Sequence, residues 1–156
     1  MRAVNVRALL ECNVIEIRRS AIVRHTPAQM FDLVNDVSTY PRRFAWCSAA
    51  QILDESASEL TARLELRFGG LTQSFTTRNT MTPPKRIELH LVDGPFRRLS
   101  GTWDFIALGD AGCKVELALD FEFSAGILAP IMRTGFQRLA DRMVDEFSAE
   151  ADRTYG

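Results

Sequence analysis

Residues 127–155 read ILAPIMRTGFQRLADRMVDEFSAEADRTY, and this stretch decides the fold. Ile127, Leu128, Ile131, Met132, Phe136, Leu139, Met143, Val144 and Phe147 fall three and four apart, which sets them on one stripe of a helix. Arg133, Arg138, Asp141, Arg142, Asp145, Glu146 and Glu150 fill the rest of the circumference. Burying most of that stripe is worth about 10–25 kcal/mol before entropy is set against it. Such a helix needs an apolar partner surface, and the chain before it reads as strands able to supply one.

From Ala49 onward the hydrophobic period is two. In Leu60 to Phe68 the even positions are Leu60, Ala62, Leu64, Leu66 and Phe68, while Thr61, Arg63, Glu65 and Arg67 take the odd ones. Gly69-Gly70 signals a hairpin into a strand from Leu71 to Met81, which Pro83-Pro84 breaks. Ile87, Leu89 and Leu91 then alternate with Arg86, Glu88 and His90, and Asp93-Gly94-Pro95 turns the chain. Leu99 to Leu108 carries Trp103 and Phe105 on one face; Cys113, Val115, Leu117, Leu119, Phe121 and Phe123 alternate with polar residues in the last strand. Half-polar strands joined by short turns imply an antiparallel sheet with one solvated face.

Further upstream, Val14 to Val23 is rich in Ile and Val and predicts a first strand. Thr26 suits an N-cap and Pro27 the first helical position, giving a short helix to about Asn35. A second turn or short helix runs through Val37 and Tyr40, with Pro41 expected to help end it. Met1 to Cys12 has no clear period; residues 1–13 are expected to form a loose leader and residues 14–156 a single domain. The predicted class is α+β: a curved antiparallel sheet of six to seven strands wrapped around a long C-terminal helix, with two short helices after the first strand. That is a helix-grip arrangement, which often leaves a pocket between sheet and helix.

Composition sets bounds on function. The chain has 156 residues, 46% hydrophobic and 25% charged, as expected of one soluble globular domain. A net charge of −1 gives no global field toward nucleic acid or an anionic membrane, so any such binding must be local. Cys12, Cys47 and Cys113 are odd in number and widely spaced, with only His25 and His90 as co-ligands. Neither a disulfide framework nor a zinc site is expected, and a cytoplasmic location fits. No apolar run reaches the roughly 18 residues of a membrane span.

Several motifs in order carry a resemblance. Gln29-Met30-Phe31-Asp32-Leu33-Val34-Asn35-Asp36-Val37 with Tyr40-Pro41, Trp46-Cys47-Ser48, Gln73 to Asn79, Pro84 to Ile87, Gly94-Pro95-Phe96-Arg97 and Gly101-Thr102-Trp103-Asp104-Phe105 resemble a START-like, polyketide cyclase/dehydrase-like family. That family, whose fold is also called Bet v1-like, contains the coenzyme Q-binding proteins of respiring cells and bacterial ribosome-association toxins. The likeness runs from about Ile17 to the C-terminus; Arg42-Arg43 and Ala45 depart from its pattern before Trp46. It implies binding without a known reaction or a required cofactor. One branch implies a hydrophobic molecule such as ubiquinone held in the grip cavity, in support of respiration, with peripheral contact at the inner membrane during lipid exchange. The other implies binding to the large ribosomal subunit, a block on its association with the small one, and a partner antitoxin.

The cavity reading rests on parity. If Phe75 faces the helix, Gln73, Thr77 and Asn79 face it too, and polar groups on an apolar surface need hydrogen-bond partners from a ligand, water or the backbone. Phe68, Trp103 and Phe105 from the sheet, with Met132, Phe136, Leu139 and Met143 from the helix, complete the expected lining, although each also fits plain core. The ribosome reading rests on the basic pairs Arg42-Arg43, Lys85-Arg86 and Arg97-Arg98, with Arg78 near them. Clustered arginines neutralise RNA phosphates, and a solvated rim is the bland alternative. Phe96 is expected to serve as a loop anchor, a lip on the pocket or a partner contact.

Enzyme readings have less behind them. His25 and His90 are not placed beside a nucleophile, and Cys47 has no general base in view. Asp32, Asp36 and Glu88 would serve as acid or base in a cyclase-like pocket, but nothing in their spacing requires it. Gly69-Gly70 and Gly94 are turn glycines, not a phosphate-binding loop.

Overall fold

Strand β1 (Ile15–Val23) opens the fold in a computed structural model that describes residues 14–110 and 112–156. The expected leader over residues 1–13 lies outside the described residues. Thr26 starts helix α1 (Pro27–Asn35) through a capping box: its Oγ1 accepts from the Gln29 backbone N–H at 3.1 Å, and Gln29 Oε1 accepts from the Thr26 N–H at 2.9 Å. Met30, Phe31, Leu33 and Val34 are its buried face.

A 3-10 turn (Val37–Thr39) leads into the one-turn helix α2 (Tyr40–Arg43). Pro41, expected to end this segment, instead sits in the first turn of α2, where a missing N–H costs no helical bond. Tyr40 stays helical despite the proline after it, with φ −54° and ψ −42°, and its buried hydroxyl donates to Val34 O.

Six strands follow: β2 (Cys47–Glu55), β3 (Glu59–Phe68), β4 (Leu71–Thr82), β5 (Arg86–Asp93), β6 (Phe96–Leu108) and β7 (Gly112–Phe123). All seven pair antiparallel in one sheet, ordered β1-β7-β6-β5-β4-β3-β2. The β3–β4 hairpin pairs Phe68 with Leu71 across Gly69 and Gly70, whose φ values of 59° and 74° suit glycine at a two-residue turn. The alternation of β7 is carried through: Cys113, Val115, Leu117, Leu119, Phe121 and Phe123 are all buried.

One register break matters for the surface. Phe96 pairs with Phe123 and Arg98 with Glu122, so Arg97 is an extra residue in a β-bulge. Phe96 and Leu99 are both buried although three apart, and Arg97 and Arg98 both face out.

Helix α3 (Ala129–Tyr155) lies across the concave face of the sheet, against β1, β7 and β3 and beside α1. Its buried stripe is Met132, Phe136, Leu139, Ala140, Val144, Phe147 and Ala151. The expected stripe began too early. Ile127 and Leu128 precede the helix and are 95% and 42% exposed, and Ile131 is 48% exposed. At Ile131 the helix backbone comes close to the hairpin: a Cβ on Gly69 would lie 3.0 Å from Ile131 O and 3.4 Å from Ile131 Cγ2. One turn later Gly135 repeats the approach, where an added Cβ would come within 2.5 Å of Gly69 N.

Candidate functional site: an interior cavity and an arginine-bearing outer face

Between sheet and α3 lies a cavity of about 110 Å³, closed at one end by the short helices. Parity places Phe75, Thr77 and Asn79 of β4 in its wall, with Trp103 from β6 and Phe136 and Met143 from α3. The other expected lining residues lie elsewhere. Gln73 is half-buried nearer the hairpin, and Met132 is buried outside the lining. Phe105 turns its ring edge to Phe31 beneath α1, at 5.9 Å between centroids. Phe68 and Leu139 open onto a separate groove beside the β3–β4 hairpin. Strand parity locates a side chain on a face of the sheet but not along the length of the helix above it, which is why these five were misplaced.

Tyr40 and Trp46 also line the cavity, and the sequence reading did not select them as site residues. The available signal was their place in the Tyr40-Pro41 and Trp46-Cys47-Ser48 motifs. Trp46 Nε1 is buried with no hydrogen-bond partner, while Thr77 Oγ1 donates to Asn79 Oδ1 at 2.9 Å. The polar part of the wall is therefore partly self-satisfied, with one donor unspent. Among the described residues the lining holds no carboxylate, imidazole, amine or thiol.

The residues weighed for catalysis lie outside this cavity. Asp32 and Asp36 are exposed, and Glu88 takes the outer face of β5. Cys47 is 2% exposed, and burial pushes its thiol up to about 11, so the nucleophilic thiolate is scarce at neutral pH. His25 is tied by Nε2 to Asp152 Oδ1 at 2.7 Å, and His90 is exposed on the outer face. Among the described residues no cluster of three His, Cys, Asp or Glu could hold a metal ion, and no helix is long and apolar enough to cross a membrane.

On the outer face Arg78, Lys85, Arg86, Arg97 and Arg98 are exposed. Arg86 pairs with Asp104 at 2.9 Å and Glu88 at 3.5 Å, and Arg97 pairs with Glu122 at 3.3 Å. Phe96, grouped with them as a partner contact, is 5% exposed and stacks on Phe123 at 4.4 Å. The bulge at Arg97 turns it inward, so it anchors the loop. Arg43 also leaves the surface, donating to Glu150 Oε1 at 3.0 Å and Thr154 Oγ1 at 2.9 Å.

That contact fastens α2 to the end of α3. Burial alone would raise the Glu150 carboxyl, but hydrogen bonds and charge from Arg153 and Arg43 outweigh it and hold the group below its ordinary 4.5. A depressed carboxyl stabilises the fold above the unfolded value, and the contribution is lost as pH falls through the lower folded value. Glu150→Gln is therefore expected to lower the urea midpoint most at neutral pH, with the gap to wild type closing below about pH 4.5. A gap that stays constant from pH 7 to pH 3 would refute this linkage.

The architecture and its motifs have counterparts. Residues 23–148 match the family profile described as polyketide cyclase/dehydrase and lipid transport. The chain is 43% identical over 140 residues to the ribosome association toxin RatA of Pseudomonas aeruginosa, covering 90% of this chain and 97% of that one. It is 26% identical over 153 residues to the coenzyme Q-binding protein COQ10 homolog B of Xenopus laevis, covering 95% of this chain and 62% of that protein. Among solved structures, the Zhui aromatase/cyclase from a Streptomyces species superposes with a TM-score of 0.82 over 92% of this chain and 96% of that one. Its sequence identity is 18%, so that likeness is one of fold. A profile match over most of the chain and a relative aligned along nearly its whole length place this chain in the polyketide cyclase/dehydrase and lipid transport family, whose START-like fold it has.

Proposed function

We propose that this protein binds the large ribosomal subunit and blocks its association with the small one, in the manner the ribosome association toxins are named for. The observation that carries the reading is the near-full-length similarity to such a toxin, at an identity well above that to the coenzyme Q-binding relative. Exposed Arg78, Lys85 and Arg98, which have no ion-pair partner among the described residues, agree with a ribosomal RNA target. The test is sedimentation of joined ribosomes on sucrose gradients with and without the purified protein. Joined ribosomes should fall, free subunits should rise, and the protein should travel with the large subunit at about 50 mM salt but leave it as salt increases. An unchanged profile with the protein at the top of the gradient would defeat the reading.

The cavity supports a second reading, in which a hydrophobic molecule with a hydrogen-bond acceptor meets the unpaired Trp46 Nε1 beside Thr77 and Asn79. Its size limits that ligand. About 110 Å³ is below the roughly 150 Å³ that takes a benzene and far below the ~300–1,000 Å³ of drug-sized sites. A quinone with an isoprenoid tail would need α3 or the short helices to move apart. Mass spectrometry of an organic extract, beside the variant Thr77→Leu with Asn79→Leu, checks this: a stoichiometric quinone lost in the variant supports it, and an empty wild-type protein speaks against it.

A further inference from the structure

An open groove of about 1210 Å³ runs between the β3–β4 hairpin and the first half of α3. Ile131, Thr134, Arg138 and Arg142 are three and four apart and present one helical stripe to it, facing Arg67 and Leu71 from the hairpin side. The charge is one-sided. Arg138 and Arg142 have no carboxylate partner among the described residues, and the Arg67 guanidinium donates to Ala45 O at 3.3 Å without meeting an acid. The one acid in the lining, Asp141, is already held by Arg19 at 2.5 Å. On the outer face, by contrast, Arg86 and Arg97 are matched by Asp104, Glu88 and Glu122. A concave site with low-dielectric walls and unmatched arginines concentrates positive potential.

We propose that this groove is the RNA-binding surface of the protein and takes a single-stranded segment of ribosomal RNA; the inference rests on the ribosome reading above. Arginine forks suit phosphate oxygens, which accept two parallel N–H donors. Ile131 is 48% exposed within the groove, and apolar surface among arginines has a use against unstacked bases that it lacks against a duplex backbone. The concavity also favours a strand, which can enter it, over a flat lipid surface, which would leave it unfilled.

The test measures binding to purified large subunits across a salt series for wild type, Arg138→Glu with Arg142→Glu, and the charge-matched control Arg24→Glu with Arg63→Glu. All four side chains are exposed, so both variants should fold; their urea midpoints check this. The groove variant should bind at least tenfold more weakly at about 100 mM salt, and its salt slope should fall by about 1.4 for two lost single-strand phosphate contacts. The control should stay within about threefold of wild type, the scale of a general charge effect. Equal weakening of both variants, or wild-type binding by the groove variant, overturns the proposal while leaving the ribosome reading standing. So does an effect confined to Arg97→Glu with Arg98→Glu, which would move the contact to the start of β6. A wild-type protein that binds no subunit defeats both. Retention of wild type on phosphatidylcholine/phosphatidylglycerol vesicles, released by the groove variant and without subunit binding, overturns RNA in favour of a lipid surface.

Discussion

Phe136→Ala is expected to destabilise the protein by about 3–5 kcal/mol, the range for emptying a buried aromatic site. Phe136 is 4% exposed, and its ring lies 4.7 Å from Phe121, 5.2 Å from Phe96, 5.4 Å from Phe68, 5.8 Å from Phe123 and 6.4 Å from Phe75. All five of these contacts with sheet residues are steep edge arrangements, at 69° to 88°, and add to the area the ring buries. The five neighbours come from β3, β4, β6 and β7, so no single strand can collapse into the space. Against a total stability of about 5–15 kcal/mol for a domain, the loss is a large fraction. Urea unfolding followed by Trp46 and Trp103 fluorescence measures it, with Ile131→Ala as a control expected within about 0.5 kcal/mol because its side chain is 48% exposed. Equal midpoints for Phe136→Ala and Ile131→Ala would mean α3 does not seat in the sheet as described.

Gly135→Ala should lower stability by about 1–3 kcal/mol, against the expectation from helix propensity alone, which favours alanine by about 1 kcal/mol. The new Cβ would stand 2.5 Å from Gly69 N, 2.7 Å from Gly69 Cα and 3.0 Å from Phe68 C. All three are backbone atoms in a tight hairpin, and none can rotate aside. Relief requires α3 to lift from the β3–β4 turn, which would loosen Phe136 one residue on and widen the groove below Arg138. Gly126→Ala is the matched control, because its Cβ would meet nothing within 4 Å. Denaturant midpoints of the two variants decide the matter, and a stabilised Gly135→Ala would show that helix and hairpin are not in close contact.

Much of this could be read along the chain. The capping box at Thr26, the glycine pair at the hairpin and the strict alternation of Leu60 to Phe68 are local patterns, and each became the element it implied. Three placements were not legible where something distant broke the pattern. Phe96, between Pro95 and Arg97, was open to three roles and grouped with the partner-binding residues, and a bulge against Glu122 turns it inward as a loop anchor. Arg43 was counted with Arg42 among the basic pairs of the ribosome reading, and Glu150 on α3 engages it instead. Ile127, Leu128 and Ile131 satisfy the helical period, but α3 starts only at Ala129, leaving the first two before it, and Ile131 sits half-exposed at the edge of the hairpin.

The class was legible along the chain: a period of two over six strands and a period of 3.6 over one long helix leave a single dry face on each, and two such faces close on one another. Which side chains share a cavity, which arginines go unmatched and how closely Gly135 meets Gly69 were decided only by the tertiary structure. Periodicity reports which way a residue faces within its own element. It carries no information on where along that element a partner far away in the chain comes to rest, and Arg67 meets Arg138 and Arg142 in one groove only because α3 crosses the sheet at that hairpin.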